Sequence, residues 1–230
     1  MKKIIKGHVD ISKLYLDKLP DFFEDVEIEG YFYCTYNQLT TLKGAPRSVS
    51  STFDCNNNKI TTLKGAPQSV GGMFYCYNNK LTTLEGSPQS VGDSFYCYNN
   101  QLTSLEGAPQ RVGGSFNCYN SNLTTLKGAP QIVHGSFNCY SNQLTSLEGA
   151  PQRVDGSFVC TDNQLTTLKG ATQIVRGSFN CSNNKLTTLE GAPQRVDGSF
   201  VCMSNAVKFT EEEVRAVCRV EGEVYVGESY

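Results

Sequence analysis

The residues that could do chemistry in this chain are its ten cysteines, two histidines and acidic side chains. Nine of the cysteines recur at intervals of 21 residues, from Cys34 to Cys202. Ten cysteines could form a disulfide framework, and zinc sites need clustered ligands at set spacings. The sequence has neither a CxxC pair nor a histidine in step with the cysteines. One cysteine per period predicts a column of reduced packing residues, because a free cysteine behaves as a small hydrophobe.

The histidines form no catalytic constellation. His134 occupies a position at which the next three copies of the repeat have Asp155, Arg176 and Asp197, so the residue type there is interchangeable. The chain offers no nucleophile–base pair and no phosphate-binding loop. These patterns predict a protein that is not an enzyme and that needs no metal and no cofactor.

The cysteines are positioned by a repeat of 21 residues. The segment Gly135–Asp155 reads GSFNCYSNQLTSLEGAPQRVD, and Gly156–Arg176 and Gly177–Asp197 follow it closely. Phenylalanines keep the same register from Phe32 to Phe200. A fixed period of this length indicates a solenoid, in which every turn buries its apolar face against its neighbours.

Each repeat predicts a short strand followed by a bend and a return segment. Phe and Cys are two residues apart and therefore share one face of a strand. An Asn three residues after the Cys, replaced once by Ser121, is expected to bond the backbone at the corner. Gly ten residues after the Cys indicates a positive φ or a close approach. A Val then returns to the core, and we expect this back segment to be extended or irregular.

The motif F-x-C-x-x-N-x-L, which begins for example at Phe74, resembles the leucine-rich repeat family motif L-x-x-L-x-L-x-x-N-x-L. The continuation NQLTSL from Asn142 is similar to the short bacterial subtype, with Gly-Ala-Pro where that subtype has Pro-x-Leu-Pro. The combination looks most like repeat proteins of large bacteriophage genomes and some bacteria. The resemblance implies a β-rich solenoid with a parallel β-sheet on its concave face and an extended or irregular convex side. It also implies a role in binding proteins.

The chain is expected to have three parts. Residues 1–31 form an N-terminal cap and a degenerate first repeat, residues 32–209 form nine repeats, and residues 210–230 form a C-terminal cap. In that cap, Thr210 and Glu213 have the spacing of a capping box, which predicts a short helix over 211–218 and then a closing strand. The acidic residues of the first repeat, between Asp21 and Glu29, are either the solvated face of a terminal repeat or an acidic docking patch.

The outward face of the strands is the candidate binding site. The residues on either side of each Cys, and the next residue along, should point away from the core. Eight of the twelve tyrosines lie in these columns. The candidate partner-binding residues are Tyr33, Tyr36, Tyr75, Tyr77, Tyr96, Tyr98, Tyr119 and Tyr140. Tyr and Asn on a rigid face are typical of binding surfaces, although aromatic ladders also stabilise sheets.

Charge and hydropathy indicate which classes of partner and which cellular compartment to expect. A net charge of −2 gives no electrostatic case for nucleic acid or an anionic membrane. The sequence has no apolar run of the ~20 residues that span a bilayer, and its start lacks the apolar core of a signal peptide. We therefore expect a cytoplasmic protein, in the host cytoplasm if the gene belongs to a phage.

The functional prediction is a non-enzymatic, monomeric protein–protein interaction scaffold that binds an unidentified partner protein through its Tyr/Asn-rich face. The resemblance to phage repeat proteins suggests an inhibitor of a host or defence protein. The alternative is a structural or surface protein, either a virion component or a carbohydrate-binding adhesin.

Overall fold

The computed structural model describes residues 3–227 of the chain, which wind into a solenoid of two parallel sheets with eleven strands each. In chain order the elements are β1 (Lys3–Lys6), β2 (Val9–Asp10), a short 3-10 helix (Asp21–Phe23), β3 (Val26–Glu29), β4 (Phe32–Tyr33), β5 (Ser48–Val49), β6 (Phe53–Asp54), β7 (Ser69–Val70), β8 (Phe74–Tyr75), β9 (Ser90–Val91), β10 (Phe95–Tyr96), β11 (Arg111–Val112), β12 (Phe116–Asn117), β13 (Ile132–Val133), β14 (Phe137–Asn138), β15 (Arg153–Val154), β16 (Phe158–Val159), β17 (Ile174–Val175), β18 (Phe179–Asn180), β19 (Arg195–Val196), β20 (Phe200–Val201), α1 (Glu211–Val217), β21 (Arg219–Val220) and β22 (Val224–Tyr225).

The even-numbered strands form one sheet, here the front sheet, and the odd-numbered strands form the other, here the return sheet. Within each sheet, neighbours along the solenoid are equivalent strands of successive turns. Phe95, for example, pairs with Phe74 on one side and Phe116 on the other. The period of the sequence therefore becomes the register of the sheets, and the predicted β-rich parallel solenoid with very little helix is confirmed.

The core consists of columns of identical or similar residues. The nine Phe rings from Phe32 to Phe200 are buried and in contact, with neighbouring centroids 5.2–5.6 Å apart. They are stacked from Phe32 to Phe137 and tilted beyond it. All ten cysteines are free and buried. Several thiols donate a weak hydrogen bond to a backbone carbonyl of the next turn, as Cys55 does to Tyr75 at 3.3 Å. Burial raises the pKa of Cys55 and Cys76 well above the ordinary value, which is the behaviour of packing residues.

The side chains of the Asn column form hydrogen bonds between successive turns. The Asn79 amide nitrogen donates to the carbonyls of Cys76 and Cys55 at 3.1 Å each, and its oxygen accepts from the backbone N–H of Ile60 at 3.0 Å. The predicted corner role is thus confirmed, and each Asn bonds both its own turn and the preceding one. Ser121 interrupts the column, and among the described residues its buried hydroxyl finds no hydrogen-bond partner.

Two further columns adopt positive φ. The residue two after each Cys, from Tyr36 to Ser204, has φ of 49–55°, which suits the Asn, Asp and Ser found at most of these positions. The bend glycines from Gly44 to Gly191 have φ of 81–91°. At Gly86, an added Cβ would lie 2.5 Å from the backbone nitrogen of Lys64. The bend therefore needs glycine for both its conformation and the close approach of the preceding turn.

The return segment is more regular than expected. Ser69 and Val70, for example, pair in parallel with Ser48 and Val49 of the preceding turn. From β5 to β19 each return strand is only two residues long, with one Val facing the core. A single inward residue shows no alternation in the sequence, so the extended conformation was predictable and the second sheet was not.

The C-terminal end contains the predicted helical cap. The Thr210 hydroxyl accepts from the N–H of Glu213, and the Glu213 carboxylate accepts from the N–H of Thr210. The helix ends at Val217, one residue earlier than predicted, and β21 and β22 then add a final turn to both sheets instead of a single closing strand. No helix among residues 3–227 is long and apolar enough to cross a membrane.

Candidate binding face of the front sheet

The outward side chains of the front sheet form the candidate site, which we call the Tyr/Asn face. It comprises the two columns that flank the Cys residues and the adjacent positive-φ column. Inward Phe and Cys fix the orientation of the strand, so the residues between and after them point to the opposite side. Parallel pairing then places equivalent residues ~4.8 Å apart along the solenoid.

Six of the eight predicted tyrosines come together in two stacked columns. Tyr75 and Tyr96 stack with ring centroids 4.7 Å apart. In the second column, the rings of Tyr77, Tyr98, Tyr119 and Tyr140 stack at 4.5, 4.3 and 4.3 Å. The columns meet where Tyr75 packs edge-on against Tyr77 at 6.0 Å. The result is one continuous aromatic layer.

The tyrosines of this layer are half-buried. Each ring is supported by its neighbours, and burial raises the pKa of Tyr140 to about 12, with a further contribution from the adjacent Tyr119. The pKa values of Tyr77 and Tyr98 are raised for the same main reason. The phenols of Tyr77, Tyr98 and Tyr140 are therefore protonated at neutral pH and can donate hydrogen bonds to a partner.

Tyr33 and Tyr36 lie apart from that layer. The ring of Tyr33 stacks on Tyr31 at 4.1 Å, and Tyr31 stacks in turn on His8 at 3.9 Å. Tyr36 belongs to the positive-φ column, is 56% exposed, and has the ammonium of Lys13 at 5.7 Å from its ring centroid.

Sequence reasoning missed Tyr31 and His8. They contact each other across the first turn at a separation of 23 residues. A search for residues 21 apart, the repeat length, does not find this pair.

Some residues predicted to face outward lie on this face but are covered by their neighbours. The buried members are Thr35, Asn56, Asn117 and Ser182. Asn56 shows the reason, because its amide nitrogen donates to the hydroxyl of Tyr77 on the next turn at 2.9 Å. At this position the long Tyr77 covers the shorter Asn56, and the Asn56 amide holds the Tyr77 hydroxyl in place.

Asp54 is the second functional candidate that sequence reasoning did not single out. It lies in the same column as Tyr33 and Tyr75 and pairs with both in register. Its carboxylate accepts from the N–H of Asn56 at 3.0 Å. Burial raises the pKa of Asp54 from its ordinary value of 3.8 to about 6, and Asp10 adds to the shift. The sequence offered one indication of this role, because Asp54 is an acidic residue at a repeat position that is otherwise mostly Tyr, Asn or Val.

The rim of the face is an amide ladder. Asn78 donates to the side-chain oxygen of Asn57 at 3.0 Å, Asn99 to Asn78 at 2.8 Å, and Asn120 to Asn99 at 2.6 Å. These side chains are ordered by one another before any partner arrives. The face thus presents a rigid aromatic layer beside a row of oriented amides.

The charge of the face is small and negative. In residues 3–227 its three columns contain the acids Asp10, Asp54 and Asp162 and the single cation Lys13. No group of three His, Cys, Asp or Glu side chains in this part of the chain is arranged to hold a metal ion. The arrangement is suited to binding through aromatic contact and hydrogen bonds.

No protein-family model matches this sequence, and no curated protein matches it either. Among solved structures, YopM from Yersinia enterocolitica WA-314 is similar, with a TM-score of 0.47 and 16% sequence identity. The similarity covers 84% of this chain and 52% of that chain, so this chain spans about half the length of the solved one. With its 21-residue period, one front strand per turn and stacked Cys and Asn columns, this chain is a parallel β-solenoid whose repeat resembles the leucine-rich repeat motif.

Proposed function

We propose that this solenoid is a non-enzymatic scaffold that binds a partner protein through the Tyr/Asn face. The observation that carries the proposal is the layer of six stacked tyrosines, which Asn56 bonds at Tyr77 and which the amide ladder flanks. A merely structural aromatic ladder would not require half-exposed rings and a row of aligned amides at the same place.

The energetic argument rests on preorganisation. Immobilising a flexible side chain on binding costs about 0.5–1.5 kcal/mol. Here the rings of Tyr77, Tyr98 and Tyr119 are already fixed by stacking on one another. Tyrosine also offers a large contact area with few rotatable bonds. A partner can therefore form apolar contacts and hydrogen bonds with these rings without the conformational free-energy cost of ordering them.

The proposal also covers the identity of the partner and the compartment in which it is bound. The resemblance to phage repeat proteins supports a host or defence protein as the target, inhibited in the host cytoplasm by a monomeric solenoid. The weakly anionic face supports a protein partner over a nucleic acid, which would need a basic groove.

The test is affinity capture with a matched pair of variants. In the first, Tyr75, Tyr77, Tyr96 and Tyr98 are changed to Ser. In the control, the exposed Ile132 and Ile174 of the return sheet are changed to Ser. Circular dichroism confirms that both remain folded. We expect a partner that the parent and the control hold and the Tyr variant loses.

Two results would contradict the proposal. If the same partner stays on all three proteins, the Tyr/Asn face is not its binding site. If purified particles or a glycan array bind the parent and no cellular protein does, the structural or carbohydrate-binding role replaces the scaffold.

A further inference from the structure

A short acidic side chain stands between two long aromatic ones on the front sheet. Tyr33, Asp54 and Tyr75 occupy one column on β4, β6 and β8, in direct register. The next pair in this column, Tyr75 and Tyr96, stacks ring on ring at 4.7 Å. At Asp54 the aromatic series is interrupted, which leaves a gap between the rings of Tyr33 and Tyr75 with the carboxylate at its base.

The spacing of the strands leaves room for a planar group between the two rings. β4 and β8 are two strand spacings apart, or ~9.6 Å. A flat group in van der Waals contact with a ring on each side needs ring planes ~7–8 Å apart. The side chains of Tyr33 and Tyr75 are anchored from outside the gap, since Tyr33 stacks on Tyr31 and the Tyr75 hydroxyl contacts the sulfur of Met73 at 2.7 Å.

The surroundings of the Asp54 carboxylate lack a positive charge. The titratable groups that face it are the phenols of Tyr33, Tyr75 and Tyr77, the carboxylate of Asp10 and the buried thiols of the Cys column. Lys13, the cation of this face, lies over the ring of Tyr36, and His8 is separated from Tyr33 by the ring of Tyr31. Among the described residues, Asp54 forms no ion pair.

We propose that the gap formed by Tyr33, Asp54 and Tyr75 binds the guanidinium group of an arginine presented by the partner protein. A guanidinium is planar, stacks on aromatic faces and bonds a carboxylate through two parallel N–H donors. It would supply the positive charge that the Asp54 carboxylate lacks. This inference rests on the proposed function and specifies the chemistry of its partner.

The first test uses the peptide acetyl-Gly-Arg-Gly-amide, with the neutral citrulline peptide of the same shape as the control. Binding is followed by NMR through the ring resonances of selectively labelled tyrosines. We expect saturable shifts at Tyr33 and Tyr75 with the arginine peptide and none with citrulline. Equal shifts with both peptides, or shifts confined to Tyr119 and Tyr140, would overturn the proposal.

Variants separate the carboxylate from the rest of the face. Asp54→Asn keeps the shape and should weaken arginine-peptide binding at least tenfold, whereas Asp17→Asn, at an exposed position outside the three columns of the face, should leave it unchanged. Asp54→Tyr should fill the gap and abolish binding while the fold is retained. Undiminished binding to either Asp54 variant would refute the slot.

The same variants distinguish this inference from the proposed function. A captured partner that needs Tyr75, Tyr77, Tyr96 and Tyr98 but binds Asp54→Asn as tightly as the parent would uphold the scaffold and eliminate the arginine slot. Conversely, arginine-peptide binding that depends on Asp54, in a protein that captures no partner, would uphold the slot and eliminate the scaffold.

Discussion

Asp54 shows how one residue can be costly to the fold and useful to a binding surface. Its carboxylate is half-buried among phenols, with hydrogen bonds from Asn56 and no ion pair within the described chain. Burying a carboxylate without a cation disfavours its charged form, which is why its pKa rises. Because the Asp54 carboxylate has no cationic partner in the free protein, a ligand that supplies a positive charge stabilises its ionised form.

We predict that Asp54→Asn stabilises the free protein at neutral pH. The pKa of Asp54 is about 6 in the folded protein, above its ordinary value of 3.8, so folding is penalised whenever this group must be ionised. The penalty is fully present above about pH 6 and disappears as the pH falls towards 4. We expect the free energy of unfolding to rise on the order of 1–3 kcal/mol at pH 7.5.

Urea denaturation of the parent and the variant at several pH values measures this effect. The two unfolding free energies should converge as the pH is lowered through 6 towards 4. A difference that is independent of pH would mean that burial of the charge is not its cause. Asp162→Asn serves as the control, with little change expected at either pH.

At the scale of the element, a single turn is stable because its corner is bonded to the turn before it. Each Asn of the inner column satisfies at least two carbonyls and one N–H, as Asn100 does for Cys76, Cys97 and Leu81. Bonds that cross between turns convert a series of two-residue strands into a continuous sheet. The column therefore adds side-chain hydrogen bonds between turns to those of the two sheets.

Filling the one gap in this column should stabilise the protein. Ser121→Asn would place an amide within reach of the carbonyls of Cys97 and Cys118 and the N–H of Leu102, as every neighbouring turn does. At a net ~1 kcal/mol for each hydrogen bond, we expect a gain of about 1–3 kcal/mol. The reciprocal variant Asn100→Ser should lose at least as much, because it leaves buried groups unpaired. Thermal and urea unfolding measure both, and a loss of stability in Ser121→Asn would contradict this account.

At the scale of the whole molecule, the structure is nearly one-dimensional. Every turn contacts the turns before and after it, so the core grows with the number of repeats. The ends differ from the middle. In the first turn Ile5, Val9, Ile11 and Leu16 are only partly buried. The helix α1 and the strands β21 and β22 cover the last repeat. In such an array, the terminal turns should open before the central ones.

Thiol labelling tests this order of opening. In the native protein the central cysteines, such as Cys97 and Cys118, are buried and have raised pKa values, so they should not react with an alkylating reagent. As urea is increased, mass spectrometry should show Cys218, where burial raises the pKa less, to about 11, labelled before the central residues. Fully denatured protein, in which all ten should react, is the control. Early labelling of the central cysteines would show that the turns do not unfold from the end.

Much of this architecture followed from the sequence. The alternation of Phe and Cys set the inward face of each front strand, and the spacing of Thr210 and Glu213 identified the helix start. The direction in which Tyr75, Tyr77, Tyr96 and Tyr98 point follows from the same alternation. These features depend on local geometry and on a period of 21 residues, both of which can be read from a linear pattern.

The sequence by itself determined the solenoid, its register, its core columns and the columns that hold the tyrosines. Only the tertiary structure decided that the return segments form a second sheet, that six tyrosines stack into one layer while Tyr33 joins Tyr31 and His8, and that Asp54 is left half-buried between two rings. The physical reason is that a repeat fixes which residues become neighbours. The neutralisation, shielding and stacking of a side chain depend instead on the size and charge of residues in adjacent turns.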